Sequence, residues 1–456
     1  VALDLSACTA STDTAGGGLY GDRTFDPGPS HTGENKIVSL VLPDEAEKIA
    51  AGTAAAAAFK RFTALGLIAG AGVMEAGSYA FSGCTALATV SLPRAENIGF
   101  DAFSGCDGLI RVSLPAARTL GEAAFLDCDA LISVSLPRVT SIGQDAFSDC
   151  NVLSAVSFPA AVSIGNNAFA DCPALRELDF PAATSIGSYA FSGCTDLREV
   201  YFPAATIISS YAFSGCAALT TVNCPAVRNI SNYTFNDCDA LNSVNFPAAR
   251  TIGSFVFYDC DALGSISLPS ARTIGSSTFN NCDSLNSVDL PIARSIGDSA
   301  FTDCNTLISV SLPAATTIGA AAFRYNNGLA TIDLPVATTV GLYAFGDCPA
   351  LSSVKLPAAT NISGSAFINT GSQALKVTLD ASPPMLARSM FSNVSSTKAV
   401  TVEVPDTSAY GTPLLVNGAD NTPCWANGFR GGGWDGSDFV SGGTVNININ
   451  LTIVEY

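Results

Sequence analysis

A repeat of 22 residues constrains this chain more than any other feature. Phenylalanine recurs at that spacing at 15 positions from Phe59 to Phe367. Twelve cysteines share the period from Cys84 to Cys348, and Asn326 is the one interruption between them. A unit this short accommodates one strand and one tight return, and it buries its apolar residues only by stacking on its neighbours. The sequence therefore predicts a solenoid rather than several globular domains.

Each unit contains a short strand that ends at a proline. In Val90-Ser91-Leu92, alternation places the two apolar side chains inward and the serine outward. Proline has no N–H group to donate to a neighbouring strand, so Pro93 ends the strand ladder at the same point of its turn. We expect the phenylalanine, leucine and isoleucine columns to be buried by stacking of the units.

The return segment contains the pattern A-F-x-x, which we interpret as one helical or 3₁₀ turn on the convex side. The residue before the cysteine is Gly, Asp or Asn in nearly every unit, as at Gly83, Asp127 and Asn281. These residue types tolerate positive φ, so this column is predicted to end the turn in the left-handed region. Tyr325 breaks the column beside Asn326, which predicts an irregular turn over residues 324–328.

One unit, Ser185–Thr206, reads SIGSYAFSGCTDLREVYFPAAT. It resembles the BspA-like, Treponema-type class of bacterial leucine-rich repeats, whose pattern is I-G-x-x-A-F-x-x-C-x-x-L-x-x-V-x-L-P. The resemblance implies an α/β repeat solenoid, a right-handed superhelix with one short parallel β-strand per 22-residue turn and short helical or 3₁₀ turns on the convex side. It also implies an exported or surface-attached protein of an anaerobic bacterium, in a class often implicated in adhesion.

The repeat predicts three parts. Residues 1–58 hold irregular N-terminal repeats and a cap, residues 59–378 hold the regular repeats, and residues 379–456 hold a last degenerate repeat and a C-terminal cap with a β-strand. Between Pro43 and Phe59 an Ala-rich insertion is predicted to be helical, with Asp44 as its N-cap. Because the sequence starts at Val1 rather than Met, we expect that a leader or another N-terminal segment was removed, which does not by itself indicate export.

Composition excludes several function classes. The net charge of −18 argues against binding a nucleic-acid backbone. The one histidine, His31, leaves little room for histidine-based acid–base chemistry or histidine metal sites. Hydrophobic residues make up 48%, yet no apolar run approaches the ~18–20 residues of a membrane-spanning helix. No catalytic constellation is present, and we predict a non-enzymatic protein without catalytic residues, cofactor or metal.

The cysteine ladder allows three interpretations. Zinc needs four ligands that converge tetrahedrally, and a straight row with one thiol per turn does not converge. Disulfides between neighbours are disfavoured, because side chains in register keep their Cβ atoms ~5 Å apart where a disulfide wants ~3.8 Å. A column of small buried thiols is the third interpretation, and Cys224 in the strand column belongs with it. Off the ladder, Leu5-Ser6-Ala7-Cys8 resembles a lipoprotein box, but Asp4 and the lack of an apolar stretch before it favour an ordinary cysteine of the first repeat.

Pairs such as Asp237/Asp239 allow a calcium site or turn-capping residues. Glycine fills the first position in other units, which ligand chemistry would not tolerate.

The outward strand positions are mostly Ser, Thr, Asn or Ala, with one richer place. We define the strand patch as Arg176, Glu177, Asp179, Arg198, Glu199 and Tyr201. Charged and aromatic groups on a rigid sheet are typical of a binding site. Diagonal pairs of the Arg176–Glu199 type, which would satisfy each other, are the alternative.

Two further candidates lie elsewhere. Four arginines share one column in consecutive turns, and they form either a solvated edge or a docking stripe for an acidic polymer or partner: Arg228, Arg250, Arg272 and Arg294. Both tryptophans of the chain, Trp425 and Trp434, lie in the C-terminal part.

The sequence thus predicts a non-enzymatic interaction protein, extracellular or on the bacterial cell surface, either outer-membrane anchored or secreted. It would bind a protein or glycan ligand on host or neighbouring cells through the solenoid face, and neither nucleic acid nor a transmembrane segment is expected. The alternative is a passive stalk or spacer that displays the C-terminal segment.

Overall fold

A computed structural model describes the backbone of residues 2–4, 18–19, 24–26, 34–53, 57–60, 62–370, 375–379, 385–386, 399–404, 413–415, 423–425 and 450–455. Side-chain surroundings are described for residues 35–53, 57–60, 62–370 and 375–379. The chain folds into two compact units, Val1–Val227 and Arg228–Tyr456.

The unit Val1–Val227 is a parallel β-solenoid in which a turn contributes a first strand of three residues and a second strand of two. Val134 of one first strand lies opposite Val156 of the next, and Ile142 of a second strand lies opposite Ile164. The first strands are Ala2–Asp4, Ser39–Val41, Leu67–Ala69, Thr89–Ser91, Arg111–Ser113, Ser133–Ser135, Ala155–Ser157, Glu177–Asp179, Glu199–Tyr201 and Thr221–Asn223. The second strands are Lys48–Ile49, Glu75–Ala76, Asn97–Ile98, Thr119–Leu120, Ser141–Ile142, Ser163–Ile164, Ser185–Ile186 and Ile207–Ile208. Near the N-terminus, Gly18–Leu19 pairs antiparallel with Thr24–Asp26, and Glu34–Lys36 forms a 3₁₀ helix.

The unit Arg228–Tyr456 repeats this arrangement, and its first strands lengthen from three to six residues toward the C-terminal end. Its first strands are Ser243–Asn245, Ser265–Ser267, Ser287–Asp289, Ser309–Ser311, Thr331–Asp333, Ser353–Leu356, Leu375–Leu379, Ala399–Val404 and Asn450–Glu455. Its second strands are Asn229–Ile230, Thr251–Ile252, Thr273–Ile274, Ser295–Ile296, Thr317–Ile318, Thr339–Val340, Asn361–Ile362 and Met385–Leu386. Two more strands, Pro413–Leu415 and Pro423–Trp425, pair antiparallel.

Each of the two compact units has one continuous apolar interior. Phe103, Phe125 and Phe147 are fully buried, and their rings stack on one another at 5.1 and 5.2 Å between centroids. The leucine and isoleucine columns, such as Leu109 and Ile98, are also buried. The predicted core columns are therefore confirmed, and each buried large side chain contributes about 1.5–3 kcal/mol relative to its exposure.

The segment predicted to be a helical or 3₁₀ turn is instead a series of turns, so this prediction is wrong. Alternate backbone N–H groups donate to the next repeat: Asp145 to Asn166 at 2.9 Å, and Phe147 to Ala168 at 2.8 Å. Two residues in each return have positive φ, which a right-handed helix does not accommodate. Other N–H groups of the return donate three residues back within the same turn, as Ser148 does to Asp145 at 3.2 Å, so single turns alternate with bonds between repeats and no continuous helix forms.

One of these two positive-φ columns was predicted and the other was not. The column that precedes the cysteine column has positive φ in every repeat from Gly83 to Asn369, which confirms the prediction. The second column is occupied by residues with no common conformational preference: Tyr79, Asp101, Ala123, Asp145, Asn167, Tyr189, Tyr211, Tyr233, Phe255, Ser277, Ser299, Ala321, Tyr343 and Ser365. The residue types in this second column therefore do not predict its positive φ.

Two local predictions are also wrong. Asp44 and Glu45 form a turn and Lys48–Ile49 is a strand, so no helix begins at Asp44 in the described residues. Pairing of Ile49 with Ala76 places Ile49 in the core, which outweighs the helix propensity of alanine. The turn over 324–328 is regular, because Tyr325 adopts the φ of its column, 61°.

The predicted solenoid of leucine-rich-repeat-like turns of 22 residues is confirmed, with a second short strand per turn as an addition. The division at residues 58 and 378 stays a prediction. Within the described residues, no helix has the length and apolar composition that crossing a membrane requires.

Candidate binding surfaces

The strand patch lies on two successive first strands of the unit Val1–Val227. Strand alternation turns Glu199 and Tyr201 outward and buries Val200 between them. Glu177 and Asp179 point outward from the preceding first strand in the same way. Tyr201 is 60% exposed, which places a large rigid ring on the surface.

The core beneath the patch is larger than in most turns. Phe158, Phe180 and Phe202 occupy the position before the proline, where most turns have leucine. Their buried rings stack at 5.5 Å and 5.9 Å between centroids. Because these rings fill the interior behind the strands, the backbone that carries the patch is held firmly.

Arg176 of the patch forms an ion pair with a residue outside the patch. Arg176 donates from Nε to Oδ2 of Asp196 at 3.1 Å, and its Nη2 contacts the same oxygen. Arg176 therefore pairs with Asp196 and not with Glu199, the partner that the alternative interpretation of the patch had named. Asp179 accepts a 2.7 Å hydrogen bond from Ser157. In the described part of the chain, Arg198 and Glu199 take part in no ion pair.

The two strands of the patch are neighbours without being paired as strands. Glu177–Asp179 pairs with Ala155–Ser157, whereas Glu199–Tyr201 pairs with Thr221–Asn223. Leu178, at the centre of the strand before the gap, is partly exposed, although Val156 in the preceding strand is buried. The patch therefore lies at an interruption of the first-strand ladder.

The arginine column belongs to the unit Arg228–Tyr456. All four side chains are exposed, as predicted. The backbone N–H groups of three of them donate to the carbonyl of the previous arginine: Arg250 to Arg228 and Arg272 to Arg250 at 2.8 Å, and Arg294 to Arg272 at 2.9 Å. The arginines are therefore in register along one edge of this unit.

The cysteine column is internal. All thirteen cysteines whose side-chain surroundings are described, Cys224 among them, are buried free thiols. Ten of the ladder thiols donate to a phenylalanine carbonyl 25 residues earlier, as Cys194 does to Phe169 at 3.2 Å. Burial raises the pKa of Cys194 to about 12. A buried thiol whose pKa is raised this far is a packing group and a poor nucleophile at neutral pH.

The acidic columns are occupied by turn residues. Asp237 and Asp259 have positive φ, and Asn281 of the same column donates to Asp259 at 2.7 Å. Burial and neighbouring carboxylates raise the pKa of Asp237. Among the described residues, no three or more His, Cys, Asp or Glu side chains converge as a metal site would need.

Sequence analysis missed one cluster. The guanidinium carbon of Arg324 lies 4.4 Å from the ring centre of Tyr325 and 4.9 Å from that of Tyr343, and its Nε donates to Asp347 at 2.8 Å. These partners are 1 to 23 residues away and come together only when the turns stack. Cys8, His31 and Trp434 lie outside the described residues, and only the backbone of Trp425 is described.

These features define a parallel β-solenoid of leucine-rich-repeat type. A family model for the BspA type leucine rich repeat region matches residues 56–176, 162–271 and 272–398. The chain therefore belongs to the BspA-type leucine-rich-repeat family, which is generally non-catalytic. A search of curated proteins finds no significant match.

Several solved structures of leucine-rich repeat proteins match parts of this chain. A leucine-rich repeat protein from Bacteroides ovatus is 26% identical, with a TM-score of 0.52, over 76% of this chain and 80% of that one. A leucine rich cell surface protein from Faecalibacterium prausnitzii is 23% identical, with a TM-score of 0.30, over 53% of this chain and 81% of that one. The leucine-rich repeat protein of T. pallidum is 25% identical, with a TM-score of 0.26, over 38% of this chain and 69% of that one.

Proposed function

We propose that this chain is a non-enzymatic bacterial surface or secreted protein that adheres to a protein ligand through the strand patch. The observation that carries the proposal is the exposed Tyr201 beside Arg198 and Glu199, which have no ion-pair partner in the described residues. Aromatic and arginine side chains dominate binding energy at protein interfaces. Most other first strands expose Ser, Thr or Asn, which offer hydrogen bonds but little contact area.

The charge pattern supports a protein ligand with both signs of charge. Arg176 is already neutralised by Asp196, so Arg198 is the free cation of the patch. Glu177 and Glu199 flank it with exposed carboxylates. A guanidinium binds a carboxylate with two hydrogen bonds, and Tyr201 contributes apolar area next to them.

The test is adhesion of beads coated with the full chain to decellularised extracellular matrix. Arg198→Ser combined with Tyr201→Ser installs residues that neighbouring turns have in these columns, such as Ser154 and Ser157, so the fold should persist. If both side chains are anchors, binding weakens by at least ~2 kcal/mol, about thirtyfold. Arg111→Ser removes an exposed arginine from another first strand and is the matched control.

Unchanged adhesion of the double variant, with its circular dichroism intact, would contradict the patch as the site. Absence of adhesion by the native chain would favour the alternative function of a passive spacer. The largely Ser- and Thr-bearing strand face is the observation behind that alternative.

A further inference from the structure

At the position of the arginine column, several other turns have a threonine whose hydroxyl is hydrogen-bonded to the preceding turn. Thr316, Thr338 and Thr360 follow the arginines in the same column, and each hydroxyl donates to the carbonyl of the preceding turn at 3.0–3.1 Å. Thr184 and Thr206 do the same in the other unit, at 3.2 and 3.3 Å. Threonine at this position therefore makes a hydrogen bond within the solenoid. Four consecutive turns have arginine there instead.

The one other arginine of this column has a built-in partner. Arg118 follows Glu96 by one turn, and Nε of the arginine lies 3.6 Å from the glutamate oxygen. In the described residues, none of the four arginines from Arg228 to Arg294 forms an ion pair. The chain as a whole has a net charge of −18, so this row of unpaired cations stands out from its composition.

The row is also unfavourable for the fold by itself. Neighbouring parallel strands lie about 4.8 Å apart, so four like charges repeat at about that spacing. Exposure to water screens the repulsion without reversing its sign. Stability therefore does not account for the arginines, whereas a linear anion with one oxyanion per step would neutralise them.

We propose that the arginine column of the unit Arg228–Tyr456 binds a linear sulfated polysaccharide. A guanidinium presents a planar fork that matches a sulfate oxyanion with two hydrogen bonds. The next residue in each turn adds an exposed or half-exposed polar side chain for sugar hydroxyls: Asn229, Thr251, Thr273 and Ser295. Neither column contains an aromatic ring on which a nucleic-acid base would stack.

The probe is heparin in fragments of graded length, bound to the full chain and measured by calorimetry. The variant Arg228→Thr/Arg250→Thr/Arg272→Thr/Arg294→Thr introduces the column's own threonine, so its melting temperature should not fall. We expect heparin affinity to drop by about thirtyfold or more at physiological salt, and the salt dependence of binding to flatten. Affinity of the native chain should rise with fragment length until a fragment spans the four turns.

Three control variants test whether heparin binding depends on the arginine column and not on net charge or on the strand patch. Arg118→Thr removes one charge from the same column in the other unit and should leave heparin affinity within about twofold. Arg228→Lys/Arg250→Lys/Arg272→Lys/Arg294→Lys keeps the charge but loses the guanidinium fork, so it should bind heparin more weakly than the native chain does. Arg198→Ser/Tyr201→Ser should bind heparin as the native chain does, which keeps this inference distinguishable from the proposed adhesion site.

Unchanged affinity in the four-threonine variant would overturn the proposal, as would an equal loss in Arg118→Thr. Polyphosphate or duplex DNA that binds as tightly as heparin of the same charge would also overturn the assignment to a sulfated sugar. If the four-threonine variant does not fold, Arg250→Thr/Arg272→Thr removes the central pair and must still lose at least about fivefold in affinity.

Discussion

The side-chain nitrogen of Asn326 donates a 2.7 Å hydrogen bond to the carbonyl of Phe301, 25 residues earlier. Cys304 and Cys348 make the corresponding bond to Phe279 and Phe323 at 3.0 and 2.9 Å. The asparagine that interrupts the cysteine ladder therefore keeps the ladder's hydrogen bond and leaves the turn regular. Its other amide atom, Oδ1, is buried without a hydrogen-bond partner.

Replacement of this asparagine should stabilise the protein. A buried unpaired acceptor costs about 1–3 kcal/mol, and Asn326→Cys removes it while keeping a donor to Phe301. We expect the free energy of unfolding to rise by about 1–2 kcal/mol, since the smaller side chain leaves a small void that offsets part of the gain. Urea denaturation followed by circular dichroism measures this.

Thr370 supplies the control, because it occupies the next irregular rung of the same column. Its hydroxyl donates to Phe345 at 2.7 Å, and no orphaned atom is present there. Thr370→Cys should bring no gain. A gain at both positions would show that cysteine is favoured for its volume and not for the orphaned oxygen of Asn326.

Truncation of a stacked ring should cost far more than truncation at the surface. Phe191 is fully buried and its ring lies 5.2 Å from those of Phe169 and Phe213. Phe191→Ala should destabilise the protein by about 3–5 kcal/mol in urea denaturation. Ile207→Ala, at a side chain 47% exposed, is the control and should cost much less. A loss below about 1 kcal/mol for Phe191→Ala would reject the assigned packing.

Asp237 should make the protein less stable as pH rises, which is the opposite of the effect of a carboxyl whose pKa is lowered by folding. Partial burial, Asp259 and Asp239 raise the pKa of Asp237, against a lowering by the amide of Asn236. A carboxyl with a raised pKa holds its proton more tightly in the folded state, so its contribution is fully present below its unfolded pKa of about 3.9 and is lost as pH rises through the folded pKa.

Asp237→Asn keeps this position neutral and should therefore raise the urea midpoint at pH 7, whereas the two proteins should coincide near pH 3. Asparagine already occupies this column with positive φ at Asn281. Asp333→Asn, which breaks the 3.3 Å pair with Lys355, should bring no such gain. A gain for Asp237→Asn that persists undiminished at pH 3 would exclude the electrostatic explanation.

The ladder thiols should be unreactive until the fold opens. Burial raises the pKa of Cys304 and Cys348 to about 12, so almost no thiolate exists at pH 8. A maleimide should leave the twelve ladder cysteines unlabelled in the native protein and label all of them in denaturant without reductant. Mass spectrometry counts the labels, and Cys194→Ser should lose one of them. Labels missing in pairs after denaturation would reveal disulfides.

The sequence by itself determined the repeat and its interior. A period of 22 residues with Phe, Leu and Ile in fixed columns has one way to bury those side chains, which is to stack the units. Glycine, asparagine and aspartate before the cysteine likewise marked the positive φ of that position, because few other residues tolerate it. For these features the information is local or strictly periodic.

The tertiary structure decided how the returns run and which charges meet. Tyr79 and Ala123 adopt positive φ because their N–H groups bond to the following turn, a preference that neither residue has alone. Arg176 reached Asp196 rather than Glu199, and Arg324 reached Tyr343 and Asp347, because stacking brings side chains about 20 residues apart within a few ångströms. Such contacts depend on the direction in which each side chain leaves its turn. The aligned sequences of the repeats do not specify that direction.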